Sequence, residues 1–238
     1  MDLSQHIQAV QTRITQAALR AGRDPGNVTL CAATKVQTDD TIRAAISAGI
    51  RVCGENRVQE LAAHLAADAY AGAKEIHFIG HLQTNKVKQV VGHVTLIQSV
   101  DSERLLCAID AQAEKLGLVQ DILLEVNIAG EESKSGCLLQ NLPGLLDLVR
   151  TLGHVRFRGL MSIPPVSSAP GTNRPYFSAM RQLFVDIKRK MSDNQDDITC
   201  LSMGMSDDFE DAISEGATLV RVGTALFGPR PPITAHTL

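Results

Sequence analysis

The chain has no tryptophan, and its two tyrosines and six phenylalanines bring aromatic residues to only 3% of 238. It therefore lacks the stacking residues on which single-stranded nucleic-acid binders depend. It also lacks a strong charge of either sign: the net charge is −3, and the densest basic run is Lys188-Arg189-Lys190. That run reads as the solvated end of a helix, and nothing in the charge balance implies a nucleic-acid partner. No CxxC pair occurs among Cys31, Cys53, Cys107, Cys137 and Cys200. An odd, scattered set of this kind argues for reduced thiols rather than a disulfide framework, with Cys31, Cys53 and Cys200 expected as small buried hydrophobes. No apolar run approaches the roughly 20 residues that span a bilayer, and the opening segment is amphipathic rather than of signal-peptide type. The expectation is a cytoplasmic protein with no membrane contact.

What is present is a globular composition, 44% hydrophobic, at a length usual for a single α/β barrel. Leu3, Ile7, Val10, Ile14, Ala18 and Leu19 fall at helical spacing and predict a leading helix over residues 3–22. Strand-like runs then alternate with helical ones. The expected strands are Val28–Ala33, Ile50–Cys53, Ile76–Ile79, Val94–Gln98, Asp121–Ile128, Val155–Ile163, Ile198–Ser202 and Thr218–Val222. Eight such units predict a parallel sheet closed into a (β/α)8 barrel, one domain over residues 1–238. The proline-rich stretch Ile163–Pro175 reads as a loop over the barrel top rather than a linker.

The segment LSMGMSDDFEDAISEGATLVRVGTALFG, residues 201–228, carries the most functional information. Two glycine-bearing turns, Ser202-Met203-Gly204 and Gly223-Thr224, each follow an apolar run and precede a helical one. Backbone N–H groups at a helix start bind anions, and a barrel commonly builds a phosphate site after its seventh and eighth strands. Arg221 lies between them, a charge within a strand that needs a partner. At the other end of the chain, Lys35 follows the first strand directly, where barrel enzymes place catalytic groups. A desolvated lysine there can act as a free amine and form a Schiff base with an aldehyde. Closure sets strand eight beside strand one, so Lys35 and Gly223-Thr224 become neighbours, and an aldehyde carrying a phosphate would have both ends held.

Five blocks in one order, GENRVQE (54–60), HFIGHLQTNK (77–86), VNIAGEESKSG (126–136), LSMGMSDD (201–208) and VRVGTALFG (220–228), together resemble the pyridoxal phosphate homeostasis protein family. These are single-domain relatives of the alanine racemase barrel, of the fold type III class that binds pyridoxal phosphate. The resemblance implies that Lys35 holds pyridoxal 5′-phosphate as an internal aldimine. It also implies that Ser202, Gly204, Gly223 and Thr224 grip its phosphate, and that Arg221 faces the pyridine nitrogen. Asn56 and His77 would line the ring, with Met203 and Met205 nearby. The chain departs from the pattern at Ile76, where a tryptophan often precedes the histidine, and in lacking a proline soon after Lys35.

Other features carry plainer readings. His77 and His81 lie on a strand and its exit loop, so they do not form a metal pair. Lys134 reads as a surface lysine of a polar loop, and Glu131 and Glu132 as solvated. Asp207 and Glu210 fit a D-x-x-E capping pattern. Glu125 and Asn127 share one face of their strand, but sequence leaves open whether that face is the barrel interior.

Three functions follow: a carrier and regulator of pyridoxal phosphate, a racemase-like enzyme on the same cofactor, and a Schiff-base aldolase without it. Racemisation needs a second base, which in alanine racemases is a tyrosine from an added β-domain, as the resemblance implies. Only ten residues follow Gly228, and neither Tyr70 nor Tyr176 sits in a motif. A guanidinium at the ring nitrogen stays charged and discourages pyridine protonation. The aldolase reading leaves Arg221 without a role. The expectation is a non-catalytic, monomeric protein that holds pyridoxal phosphate and passes it to apo-enzymes.

Overall fold

In the computed structural model, which describes residues 2–131, 134–166, 169–191 and 197–229, eight parallel strands close into a barrel in sequential order. They are β1 (Thr29–Ala33), β2 (Val52–Glu55), β3 (Glu75–Phe78), β4 (Leu96–Val100), β5 (Gln120–Glu125), β6 (Val155–Met161), β7 (Cys200–Ser202) and β8 (Leu219–Val222). Closure is direct: Cys31 pairs with Arg221 across the β1–β8 seam. Each expected strand is present, with its ends displaced by no more than three residues. The exception to the alternation follows β3, where a 3-10 turn, Thr84–Gln89, replaces the expected α-helix.

The leading helix α1 (Leu3–Arg20) starts in a capping box, with the Asp2 carboxylate accepting from Gln5 N and the Gln5 side chain accepting from Asp2 N. Its buried face is Ile7, Val10, Ile14, Ala17 and Ala18. Leu19, placed on that face by spacing, points outward and is 62% exposed. The other α-helices among the described residues are α2 (Asp39–Ser47), α3 (Val58–Ala66), α4 (Glu103–Leu116), α5 (Leu142–Val149), α6 (Arg174–Lys190), α7 (Phe209–Ser214) and α8 (Thr224–Phe227). Helix α1 packs across α7 and α8, with Arg13 both paired to Glu210 and stacked 4.5 Å above the Phe209 ring. It thereby backs the two turns that follow β7 and β8.

Strand side chains divide by period two between two cores. Outward residues such as Phe78, Ile97, Ile122, Leu124, Leu160, Leu201 and Val220 form the main core beneath the helices. Inward residues form smaller groups, Cys31, Ala33, Val52, Ile79 and Leu219 on one side and Leu96, Leu123 and Met161 on the other. All five cysteines are free. Burial pushes the Cys53 and Cys137 thiols up to about 12, which keeps them unreactive. Cys200, expected buried, is half-buried.

A cavity of about 330 Å³ opens at the N-terminal mouth, lined by Thr29, Glu75, His77, Asp121, Arg158 and Thr218 among others. That is the end of a barrel where residues serve stability, and the chemistry-bearing loops lie at the opposite mouth.

Candidate functional site

Because every strand is parallel, the residues that follow the strands all emerge at one mouth. Lys35 lies two residues past β1, Asn56 one past β2, Ser162 one past β6 and Gly223 one past β8. The β8–β1 seam brings Gly223 beside Ala33: a Cβ built at Gly223 would sit 3.5 Å from the Ala33 Cβ. Gly223 therefore adjoins the end of the strand from which Lys35 leaves.

The two glycine turns do different work. Gly223 is the N-cap of α8, and its N–H and that of Ala225 both donate to the Ser206 hydroxyl at 3.2 Å. Ser206 thus holds the position to which the turn's amides point. Its partners lie 17 and 19 residues away, which hides this role from any local reading of the sequence. Gly204 has φ +91°, and an added Cβ would lie 2.5 Å from the Ala212 Cβ and 3.0 Å from the Phe209 Cα. Here glycine is required by both backbone and space. Its carbonyl accepts from Arg221 N at 3.0 Å, tying the β7 exit to β8. Helix α7 begins only at Phe209, so this turn does not open directly into a helix.

The expected D-x-x-E cap is also displaced. Asp208 is the N-cap, and its carboxylate accepts from Met205 N at 2.7 Å and from the Asn173 side chain at 2.7 Å. Glu210 is paired with Arg13 instead. Asn173 also donates to the Pro165 carbonyl, anchoring the loop between β6 and α6 to this mouth. Residues 167–168 of that loop lie outside the described residues.

Arg221 is buried, 4% exposed, with its guanidinium donating to the Ser202 hydroxyl and, at 2.8 Å, to the Ser162 carbonyl. Burial lowers its pKa, but arginine's ordinary value is high enough to leave it charged. The Ser202 hydroxyl in turn donates to Gln98 at 2.6 Å, and Gln98 meets His77 Nδ1 at 2.9 Å. His77 Nε2 reaches Glu75 at 3.0 Å, which holds that carboxyl down to about 2. A polar column, Arg221–Ser202–Gln98–His77–Glu75, therefore crosses the barrel interior to the N-terminal mouth. Ser202 and His77 are engaged in it, whereas the hydroxyl bound by the Gly223 and Ala225 amides is that of Ser206. Met203 is fully buried in the core beneath the helices, while Met205 is half-buried at the mouth.

Glu125 is inward-facing and 2% exposed. Desolvation raises its pKa to about 7, Asp101 adds repulsion, and the attraction of Arg221 opposes both. Asn127 is taken up elsewhere, donating to the Glu131 carbonyl at 2.8 Å and accepting from Glu131 N at 3.2 Å. It shapes the loop that carries Lys134, which is paired with Glu131 at 3.4 Å. Glu132 lies outside the described residues.

The GENRVQE block forms a brace. Glu55 is fully buried and accepts from Asn56 N at 2.7 Å and Arg57 N at 3.3 Å, and from the hydroxyls of Thr34 and Tyr70. Glu60 accepts from Val36 N at 2.9 Å. Among the described residues near this mouth, Asn56 Oδ1, Ser162 Oγ and Asn173 Oδ1 are buried without a hydrogen-bond partner. Unpaired buried acceptors of this kind are costly and call for an explanation. Gly80 packs so tightly on Asn56 that an added Cβ would lie 2.0 Å from its carbonyl oxygen, fixing where that residue sits.

A lysine, a buried arginine and a two-amide turn at the C-terminal mouth of a parallel barrel define the class. Residues 6–231 match the family described as alanine racemase, N-terminal domain. Within it, the chain is 43% identical to the pyridoxal phosphate homeostasis protein of Aquifex aeolicus, covering 97% of this chain and 99% of that one. It is 39% identical to the Pseudomonas aeruginosa protein of the same name, over 96% of each. Among solved structures, PipY of Synechococcus elongatus PCC7942, determined with PLP bound, superposes with TM-score 0.82 at 33% identity, covering 95% of this chain and all of that one. This chain belongs to the pyridoxal phosphate homeostasis protein family. The barrel also matches the alanine racemase of Streptomyces lavendulae at TM-score 0.69 and 19% identity, covering 58% of that chain, a likeness of fold alone.

Proposed function

We propose that this protein binds pyridoxal 5′-phosphate at the C-terminal mouth of its barrel and releases it to acceptors, without turning over amino acids. The observation that carries the reading is the convergence there of Lys35, buried Arg221, the Gly223–Ala225 amides and the unpartnered Asn56 Oδ1. The donor set fits the cofactor. Lys35 would bind its aldehyde, and Gly223, Thr224, Ala225 and Ser206 its phosphate. Arg221 would meet the ring nitrogen, and Asn56 Oδ1 would gain a partner. Met205 and Gly204 border the same turn, while Ser202, with Gln98 and His77, orients Arg221. When bound, pyridoxal phosphate supplies an aldehyde that a lysine amine captures reversibly.

Three features support holding over turnover. Arg221 remains charged and hydrogen-bonded, so it presents a donor to the ring nitrogen rather than a proton relay. The Tyr70 hydroxyl is directed to Glu55 in the core beneath the helices, and burial pushes its pKa up. Tyr176 lies half-buried on α6. On this reading neither tyrosine serves as a second base opposite Lys35. We place the protein in the cytoplasm as a monomeric, single-domain barrel whose partners are apo-enzymes that use this cofactor. No described helix is long and apolar enough to cross a membrane.

The test is a pair of titrations and a labelling experiment. Pyridoxal phosphate should generate a visible absorption band that borohydride abolishes, with the label on Lys35, whereas pyridoxal should bind far more weakly. Equal affinity for the two would refute the phosphate grip. Racemase, transaminase and decarboxylase assays should stay at background, and α-carbon deuterium exchange with steady product formation would overturn the non-catalytic reading.

A further inference from the structure

Val36, next to Lys35, has φ +58°. A β-branched residue in the left-handed region is a genuine outlier, because its side chain crowds the following carbonyl. Such a conformation persists only where its surroundings hold it. Two hydrogen bonds do so: Gln37 N donates to the Thr34 carbonyl at 3.0 Å, closing a turn around Lys35 and Val36, and Val36 N donates to Glu60 Oε2 at 2.9 Å. The Val36 side chain itself gives little anchorage, being 46% exposed. Beside the Thr34–Gln37 turn, the hold on Val36 comes from Glu60, on the first turn of α3, whose other oxygen is 3.0 Å from Arg57. Thr34 extends the brace, with N donating to the Gly54 carbonyl at 2.9 Å and its hydroxyl to buried Glu55. The β1 and β2 exit turns are thus locked together, and the strained residue adjoins the lysine.

We infer that Glu60 is a positioning residue for Lys35: its carboxylate latches Val36 in the left-handed conformation and so sets how long Lys35 keeps a bound aldehyde. The consequence for release rests on the cofactor reading above, but the latch itself does not. Without Glu60, Val36 relaxes to negative φ, the turn re-aims, and Lys35 no longer meets a ligand whose phosphate is held by the Gly223 turn. The acidic pair of the GENRVQE block then has a role: Glu55 fixes the second turn and Glu60 fixes the first.

The experiment compares the full-length wild type with Glu60→Ala, Glu60→Gln, Val36→Gly and the double variant Glu60→Ala/Val36→Gly. In the cofactor-free proteins, amide hydrogen exchange at Val36 should quicken by about tenfold or more in Glu60→Ala and stay near wild type in Glu60→Gln, which keeps an acceptor oxygen. Unchanged exchange in Glu60→Ala would overturn the latch, whatever the protein binds. In the loaded proteins, transfer of pyridoxal phosphate to excess apo-transaminase should be about tenfold faster in Glu60→Ala. Glycine adopts positive φ without steric cost, so the same change in the Val36→Gly background should accelerate transfer less than about threefold. Equal acceleration in both backgrounds, or borohydride label on Lys35 with unchanged transfer, would overturn the positioning role. Label on another lysine would instead refute the cofactor reading, while Val36 exchange still decides the latch.

Discussion

Replacing Glu125 by glutamine should make the protein more stable at alkaline pH and leave it nearly unchanged in acid. Glu125 is 2% exposed inside the barrel, and burial raises its pKa from an ordinary 4.5 to about 7. The folded protein therefore binds this proton more tightly than the unfolded chain does. The associated stability is fully present below about pH 4.5 and is lost as pH rises through 7. At about 1.4 kcal/mol per unit, the loss between pH 5 and pH 8 is roughly 2–3 kcal/mol. Glutamine matches the neutral acid in shape, so the variant should equal wild type at pH 5 and exceed it by that amount at pH 8. For a chain of this length the difference corresponds to about 5–10 °C in Tm. Urea denaturation at both pH values, with equal m-values required, measures it. A stability difference of the same size at pH 5 and pH 8 would refute the reasoning. It would mean that Glu125 is already ionised at pH 5, held so by Arg221.

Gly204→Ala should cost about 2–5 kcal/mol in urea denaturation, because the new Cβ both strains φ +91° and collides with Ala212 and Phe209. Gln98→Ala removes the centre of the polar column and should cost about 1–3 kcal/mol for each of the His77 and Ser202 groups left unpaired. It should also weaken ligand binding through a less fixed Arg221. A Cβ at Gly223 meets Ala33 only at ordinary van der Waals distance, so Gly223→Ala should fold with near wild-type stability. Its side chain screens the turn's amides, so affinity for pyridoxal phosphate should fall about tenfold or more, while pyridoxal binding changes little, as read by spectrophotometric titration.

The barrel was legible because parallel strands buried on both faces read as short apolar runs, and Thr29–Ala33 and Leu219–Val222 stand out as such between segments of helical periodicity. Lys35 and the Gly223 turn were legible because closure of eight strands dictates that the first and last are neighbours. Which way Glu125 faces was not, since a period of two assigns residues to faces without saying which face is inside. Ser206, Gln98 and Glu60 were missed for one reason: each acts through a partner 17 or more residues away. The spacing of two acids in GENRVQE was the available signal for Glu60, and the serine two residues past Gly204 the signal for Ser206. The positive φ of Val36 has no sequence signature, because valine is among the residues least suited to it.

The central claim, that Lys35 captures pyridoxal phosphate reversibly at the barrel's C-terminal mouth, is tested most directly by borohydride reduction of the loaded full-length protein and mapping of the modified peptide. One cofactor per chain, attached to Lys35, is the expected result, with no label and only weak residual binding in Lys35→Ala. Stoichiometric label on Lys86 or Lys134, or undiminished affinity in Lys35→Ala, would contradict it.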